Sequence, residues 1–305
     1  MRVAIIGRTE LLYDSARQLR AAGHEIVCIV TAKEAPEYRR GAEDFRLLAA
    51  EWNILFISSP KIIECSEFLV QARAEIAVSI NYSGVIPEEI TGLFRHGILN
   101  AHGGDLPRYR GNACQAWAII NGEERVGLCI HRMIGGELDN GDIIARDYFP
   151  LSLNTKVTAV YQWMSDRIPD LFLQALQRLE EDPLYVVECQ SKDPKDALRC
   201  YPRKPEDGRI DWNKSAVEIL RLVNACNKPY AGAFCDFEGS KLIIWDAELA
   251  AEENFLAIPG QITLIGQGFV EVATGAGKLT VKQVEALSGE RIPNRVSSSI
   301  RQRFA

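Results

Sequence analysis

The 305-residue chain predicts an α/β fold, a mostly parallel sheet with helices between its strands, followed by a small β-barrel. Three observations carry that prediction. The first half alternates short apolar runs with amphipathic stretches, the pattern of βαβ units with right-handed crossovers. The last third holds short apolar runs parted by glycine turns, which suits a small barrel. Between them, residues 201–208 are polar and rich in proline and glycine, as linkers are. Domains are therefore expected at 1–200 and 201–305, in line with the soft two-domain prior of this length.

Each element has its own justification. Val3, Ala4, Ile5 and Ile6 form a continuous apolar run, as a strand buried on both faces requires. Gly7 turns the chain, and residues 11–22 read as a helix ended by Gly23. Residues 25–30 make the second strand. The turn between them, Gly7-Arg8-Thr9, lacks GxGxxG spacing, which argues against a dinucleotide-dependent dehydrogenase. A helix is expected over 42–51, with strands at 54–57, 76–80, 97–99 and 126–133. Apolar positions from Val157 to Ala175 recur at helical spacing over 155–178, and Pro169 should kink or divide that helix. Beyond the linker come a helix at 215–226 and strands at 233–235, 242–245, 260–264, 269–272 and 279–281.

Composition excludes several classes. With 47% hydrophobic residues the chain can bury a sizeable core, and 25% charged residues is ordinary for a globular protein. A net charge of −6 gives no global attraction to nucleic acid or to an anionic membrane. The apolar run at the start is short for a signal peptide, and no stretch reaches the ~20 apolar residues of a transmembrane helix. The eight cysteines are scattered, with no CxxC pair, and read as free thiols of a reducing cytoplasm. Four histidines without a matching cluster form no zinc pattern.

Chemistry concentrates after the strand ending near Leu99. Asn100 and His102 are two residues apart, so a continuing strand puts both side chains on one face. A neutral imidazole can accept a proton and an Asn amide can donate to an oxyanion, a pairing suited to acyl chemistry. Satisfying loop backbone is the plainer role for both. Asp139 lies in a glycine-punctuated turn, where its carboxylate can orient an imidazole or simply complete an Asx turn.

Three motifs then stand in order: Asn100-x-His102, Leu106-Pro107-x-Tyr109-Arg110-Gly111 and Leu138-Asp139-x-Gly141-Asp142-Ile143. Together they resemble the 10-formyltetrahydrofolate-dependent formyltransferase family. The resemblance extends to the C-terminal third through Ile210-Asp211-Trp212, Pro229-Tyr230-Ala231-Gly232 and Pro259-Gly260-Gln261-Ile262. It implies a Rossmann-like catalytic domain, an OB-like barrel, 10-formyltetrahydrofolate as formyl donor, and Asn100, His102 and Asp139 as the catalytic trio. It also implies that the folate is held by Gly84, Val85, Ile86 and Asn112, with Gly135, Gly136, Glu137, Leu138 and Asp139. One extra residue between His131 and Asp139 leaves the match of Gly135 and Gly136 open. His131 itself reads as a packed strand residue. Cys114 reads as core, since the amine of the acceptor is the nucleophile.

The family leaves the acceptor to be chosen. Residues 201–305 carry thirteen basic and thirteen acidic residues, and residues 31–52 carry four against five. Polyanion affinity scales with neutralised phosphates, so neither segment predicts a tRNA surface. The expected acceptor is therefore the amine of a nucleotide-linked 4-amino-4-deoxy sugar of the kind that feeds surface polysaccharides. No nucleic-acid or membrane partner is expected, and a cytoplasmic homodimer is. Methionyl-tRNA formylation, hydrolysis of 10-formyltetrahydrofolate, and nucleic-acid binding through the OB-like domain are the rivals.

Overall fold

In the computed structural model, residues 1–286 and 299–305 are described. The chain forms two compact units. The first is Met1–Cys114, Val126–Phe149 and Gln162–Tyr201; the second is Gln115–Arg125, Pro150–Tyr161 and Pro202–Ala305. The second unit thus draws on two segments that lie well before residue 201.

The first unit is built on β1 (Arg2–Gly7), α1 (Glu10–Ala21), β2 (Glu25–Thr31), α2 (Ala42–Trp52), β3 (Leu55–Ser58), α3 (Ser66–Ala72), β4 (Ile76–Ile80), α4 (Glu88–Thr91) and β5 (Ile98–His102). A short strand β6 (Tyr109–Gly111), then β7 (Arg125–Arg132) and β8 (Ile143–Pro150), follow. The seven-stranded sheet runs β3-β2-β1-β4-β5-β7-β8. Pairs from β3 to β5 are parallel and β7 is antiparallel to β5. β1 lies inside the sheet between β2 and β4 with Val3, Ala4, Ile5 and Ile6 fully buried, which is why those four positions are all apolar. Ala4 and Ile6 pack with Leu69 of α3 and Ile90 of α4; Val3 and Ile5, of opposite parity, face the other side of the sheet. A fully buried Ile or Leu side chain contributes roughly 1.5–3 kcal/mol.

Strand order reverses between β1 and β4. The loops that follow parallel strands emerge at one edge of the sheet, where open α/β sheets bind ligands. His102 ends β5 at that edge, and residues 81–87 leave β4 beside it. Of the kink or division expected at Pro169, the division is absent. Helix α6 (Val157–Glu181), which follows α5 (Cys114–Asn121) in chain order, runs unbroken through Pro169. Its buried stripe continues on both sides of the proline, through Met164 and Ile168 to Leu171, Ala175 and Leu179, so packing sustains the helix past the missing N–H.

Strand β9 (Leu198–Cys200) pairs parallel with β6 in the first unit. The second unit carries α7 (Ala216–Ala225) and the antiparallel strands β10 (Ala233–Phe237), β11 (Ser240–Leu249), β12 (Ile262–Ile265), β13 (Val270–Ala273) and β14 (Lys278–Ala286), in the order β10-β11-β14-β13-β12. Ser215 caps α7 by accepting from the Glu218 N–H, and Glu218 accepts in return from the Ser215 N–H. The last residues join the two sheet edges. The Ile262 and Phe304 amides donate to Gln302 and Gly260 carbonyls, while Asp236 and Ala305 exchange amide bonds of 2.7 and 2.8 Å. Phe304 is buried between Trp212, stacked at 5.4 Å, and Phe237. The earlier segments are tied into the same unit: Asn224 Nδ2 donates to the Leu153 carbonyl at 2.9 Å, and the Tyr161 and Tyr230 hydroxyls meet at 3.0 Å.

Candidate active site

The site begins with strand register. Asn100 and His102 share a face of β5 by its period of two. On the antiparallel neighbour β7, His131 stands directly opposite Asn100. The three side chains form a cross-strand cluster, with the His102 and His131 rings edge-on at 6.3 Å between centroids.

Asp139 enters from the loop that joins β7 to β8. The loop closes where the Arg132 amide donates to the Asp142 carbonyl at 2.9 Å. Gly141 permits that closure, since a Cβ there would overlap the Arg132 carbonyl oxygen. Asp139 itself has φ 48°, a left-handed conformation that Asp tolerates better than most residues. Its carboxylate accepts from the Gly111 amide at 2.9 Å and lies 3.5 Å from both His102 Nδ1 and His131 Nε2. Burial opposes its ionisation, but the neighbouring His102 charge, the hydrogen bond and charge of His131 and the Gly111 amide outweigh burial and hold its pKa well below the carboxylate range.

His102 is 7% exposed, and both of its nitrogens face acceptors. Nε2 lies 2.6 Å from the Tyr109 carbonyl oxygen, opposite Asp139 at Nδ1. The approach of Tyr109 depends on Gly104, where a Cβ would overlap both the Tyr109 oxygen and the His102 ring. Cys114 Sγ lies 3.5 Å from the same Tyr109 oxygen. Its hydrogen bond with Cys200, followed by burial, pushes its pKa far up, so it stays a neutral thiol and is no nucleophile.

Two residues of this cluster escaped the sequence reading as functional groups. His131 is indeed a buried strand residue, but Asn100 Nδ2 lies 3.1 Å from its Nε2. Its signal is the register between β5 and β7, which no local pattern records. Gln190 comes from a segment with little regular structure. Its Nε2 donates to the Asp139 carbonyl at 3.0 Å and to the Gly141 carbonyl, and its Oε1 accepts from Arg110. It thereby fixes the loop that carries Asp139, and nothing in the sequence marks it.

The remaining expected site residues divide by exposure. Gly84 and Val85 are exposed on the loop after β4, and Glu137 and Leu138 on the loop after β7; Gly136 is exposed too and Gly135 is half-buried. The Gly136 amide donates to the Ile86 carbonyl at 2.9 Å, so the two loops are tied together. Ile86 joins them only through backbone, because its side chain is buried in the core below. Val85 and Leu138 are 58% and 38% exposed. Apolar side chains beside exposed loop backbone suit a flat, hydrogen-bonding ring such as a pterin. Asn112 is exposed, its amide donating to the Cys200 carbonyl at 3.0 Å. Among the described residues no group of His, Cys, Asp and Glu could hold a metal ion, and no helix is long and apolar enough to cross a membrane.

Comparison with known proteins adds the following. Residues 1–176 match the family described as Formyl transferase, and residues 203–296 match Formyl transferase, C-terminal domain. The methionyl-tRNA formyltransferase of Pelotomaculum thermopropionicum is 28% identical over 96% of this chain and 93% of its own length. That of Citrifermentans bemidjiense is 29% identical over 96% and 91%. Among solved structures, the N-formyltransferase from Helicobacter canadensis, in complex with folinic acid and dTDP-3-aminofucose, aligns with a TM-score of 0.69 at 17% identity, over 92% of this chain and 99% of that one. HypX from Aquifex aeolicus with tetrahydrofolic acid aligns at 0.65 and 20%, over 98% of this chain and 47% of that one. At such identities the structures share a fold alone. The near-full-length relatives are methionyl-tRNA formyltransferases, which overturns two expectations: a nucleotide-linked amino sugar of polysaccharide synthesis as acceptor, and the absence of a nucleic-acid partner. The error was physical. Balanced charge counts over a segment do not describe a surface, because acidic and basic side chains that cancel in sequence can segregate in space.

Proposed function

The chain belongs to the formyl transferase family, whose members use 10-formyltetrahydrofolate, and on that premise we propose that it formylates the amine of methionyl-tRNA. The observation that carries this reading is the similarity to methionyl-tRNA formyltransferases over 96% of the chain, through both domains. An aminoacyl-tRNA acceptor puts this work in the cytoplasm.

The donor supplies an activated formyl carbon, held by the loops of Gly84, Val85 and Leu138. Attack by an amine builds negative charge on the formyl oxygen. Asn100 donates its amide to that oxygen, a contribution worth roughly 3–4 kcal/mol in other acyl-transfer enzymes. To take the amine proton at Nε2, His102 must be neutral with its one proton on Nδ1 toward Asp139, so its contact to the Tyr109 carbonyl breaks and the Nε2 proton is given up to solvent before the acceptor amine docks there. Asp139, ionised under the ring, stabilises the imidazolium that forms. The nucleophile is the substrate's own amine, so no covalent enzyme intermediate is required; the adduct collapses by breaking the bond from the formyl carbon to the donor nitrogen, which takes a proton back from the His102 imidazolium and leaves as tetrahydrofolate.

The test is incubation of the protein with 10-formyltetrahydrofolate and methionyl-tRNA, read by mass spectrometry of the released aminoacyl group. One formyl-methionine per tetrahydrofolate is the expected result. Tetrahydrofolate production at the same rate without tRNA would replace this reading with a hydrolase.

A further inference from the structure

We propose that His131 is a positioning residue: it carries its proton on Nε2 and so turns the Asn100 amide, placing the NH2 group toward the reacting formyl oxygen. The inference rests on the reading of Asn100 as the oxyanion donor. It begins with the cross-strand pair itself. The Asn100 amide atom placed toward β7, Nδ2, lies 3.1 Å from His131 Nε2, which in turn lies 3.5 Å from Asp139 Oδ1; we exchange the two ends of that amide. His131 is 1% exposed, so water does not compete for these contacts.

The two ends of an Asn amide are told apart only by their partners, as are the two tautomers of a histidine. With the NH2 group toward His131, Nε2 must offer a lone pair. That lone pair would also point at the Asp139 carboxylate, which is an acceptor in every ionised state. Two acceptors face to face in a buried site repel one another. A proton on Nε2 removes the conflict, since it is shared by Asp139 Oδ1 and by the Asn100 atom at 3.1 Å, which is then the carbonyl oxygen. Among the described residues the Nδ1 side meets the Arg132 carbonyl at 3.4 Å, a neutral acceptor no nearer in effect than the ionised carboxylate at 3.5 Å. A charge-assisted contact outweighs it. With its oxygen held by His131, the Asn100 amide has one end left, and that end is the donor the reaction needs.

The geometry also explains a division of labour between the two histidines. Asp139 spends Oδ2 on His102 and the Gly111 amide, and Oδ1 on His131. One carboxylate thus orients the proton acceptor through one oxygen and the oxyanion donor through the other.

Two measurements test this. In the free protein, long-range 1H–15N correlation spectra of the His131 ring are expected to show the Nε2–H form; a proton on Nδ1 alone overturns the proposal. In formylation assays, His131→Met is expected to lower kcat about 10–100-fold with KM for 10-formyltetrahydrofolate unchanged, part of the ~10²–10³-fold that a lost oxyanion donor costs. His131→Gln, which keeps a donor of similar reach, is expected to recover most of the loss. His131→Met added to Asn100→Ala is expected to slow the enzyme no further, because the orienting group has nothing left to orient. Effects that multiply, a rise in KM at constant kcat, or a Gln variant as slow as Met would each overturn the role. Thermal unfolding of each variant separates slowed chemistry from lost fold. Wild-type kcat in Asn100→Ala would sink the oxyanion reading instead; the ring spectrum, which needs no turnover, then still decides whether His131 orients the amide.

Discussion

Neither nitrogen of His102 is open to solvent: Nε2 lies 2.6 Å from the Tyr109 oxygen and Nδ1 3.5 Å from Asp139. Removing the imidazole should therefore affect chemistry before binding. His102→Asn is expected to reduce kcat by about 10²–10⁴ while 10-formyltetrahydrofolate still binds, as calorimetry would record; turnover near normal would send the amine proton elsewhere. Asp139 makes a separate prediction about pH. Its folded pKa lies below the unfolded value near ~3.9, so its contribution to stability is complete above that value and is lost as pH falls through the folded pKa. Asp139→Asn should cost about 2–3 kcal/mol near pH 5, with the difference from wild type narrowing below about pH 4. Urea unfolding at several pH values checks the sign, and a gap that widens in acid would contradict it. At this scale the sequence was half legible. The spacing of Asn100 and His102 foretold a shared face, and Asp139 was marked by its turn. His131 and Gln190 were not, because one depends on register and the other on a loop contact 51 residues away from Asp139.

Strands were the most readable elements, because a buried strand needs apolar residues throughout and the runs at 3–6 and 76–80 supply them. Pro169 does not divide α6, since local propensity yields to the packing of a long buried stripe. The segment from β5 to β6 turns on a single close approach that sequence alone does not weigh. Gly104 sits where a Cβ would overlap the Tyr109 oxygen and the His102 ring. Gly104→Ala must displace one of them, and backbone yields least. We expect a loss of about 1–3 kcal/mol together with a fall in kcat, measured by thermal unfolding and by formylation on the same preparation. Full activity in a destabilised variant would separate the Tyr109 contact from catalysis.

At the scale of the whole molecule, the sequence marks a change of pattern near residue 201 but carries no sign that 115–125 and 150–161 group with the second unit, since those segments read locally like their neighbours. The acceptor was misread for a related reason: charge was summed along the chain, not over a surface. The closure of the second sheet by residues 302–305 makes its own prediction. Phe304→Ala empties the space between Trp212 and Phe237 and should cost about 3–5 kcal/mol, visible in near-ultraviolet circular dichroism during denaturation. An unchanged midpoint would mean that the backbone bridge holds the sheet closed without the ring. That same bridge has a consequence for how the protein is made. A ribosome emits the chain from the N-terminus, and translation at ~5–20 residues per second takes several seconds or more to pass from the linker to Phe304. Until residues 302–305 follow, β12 and the Asp236 end of β10 lack the outer pairing those residues supply, although Ile210 already donates to the Phe234 carbonyl of β10. The nascent chain therefore leaves those stretches of strand edge open to other strands until residues 302–305 emerge.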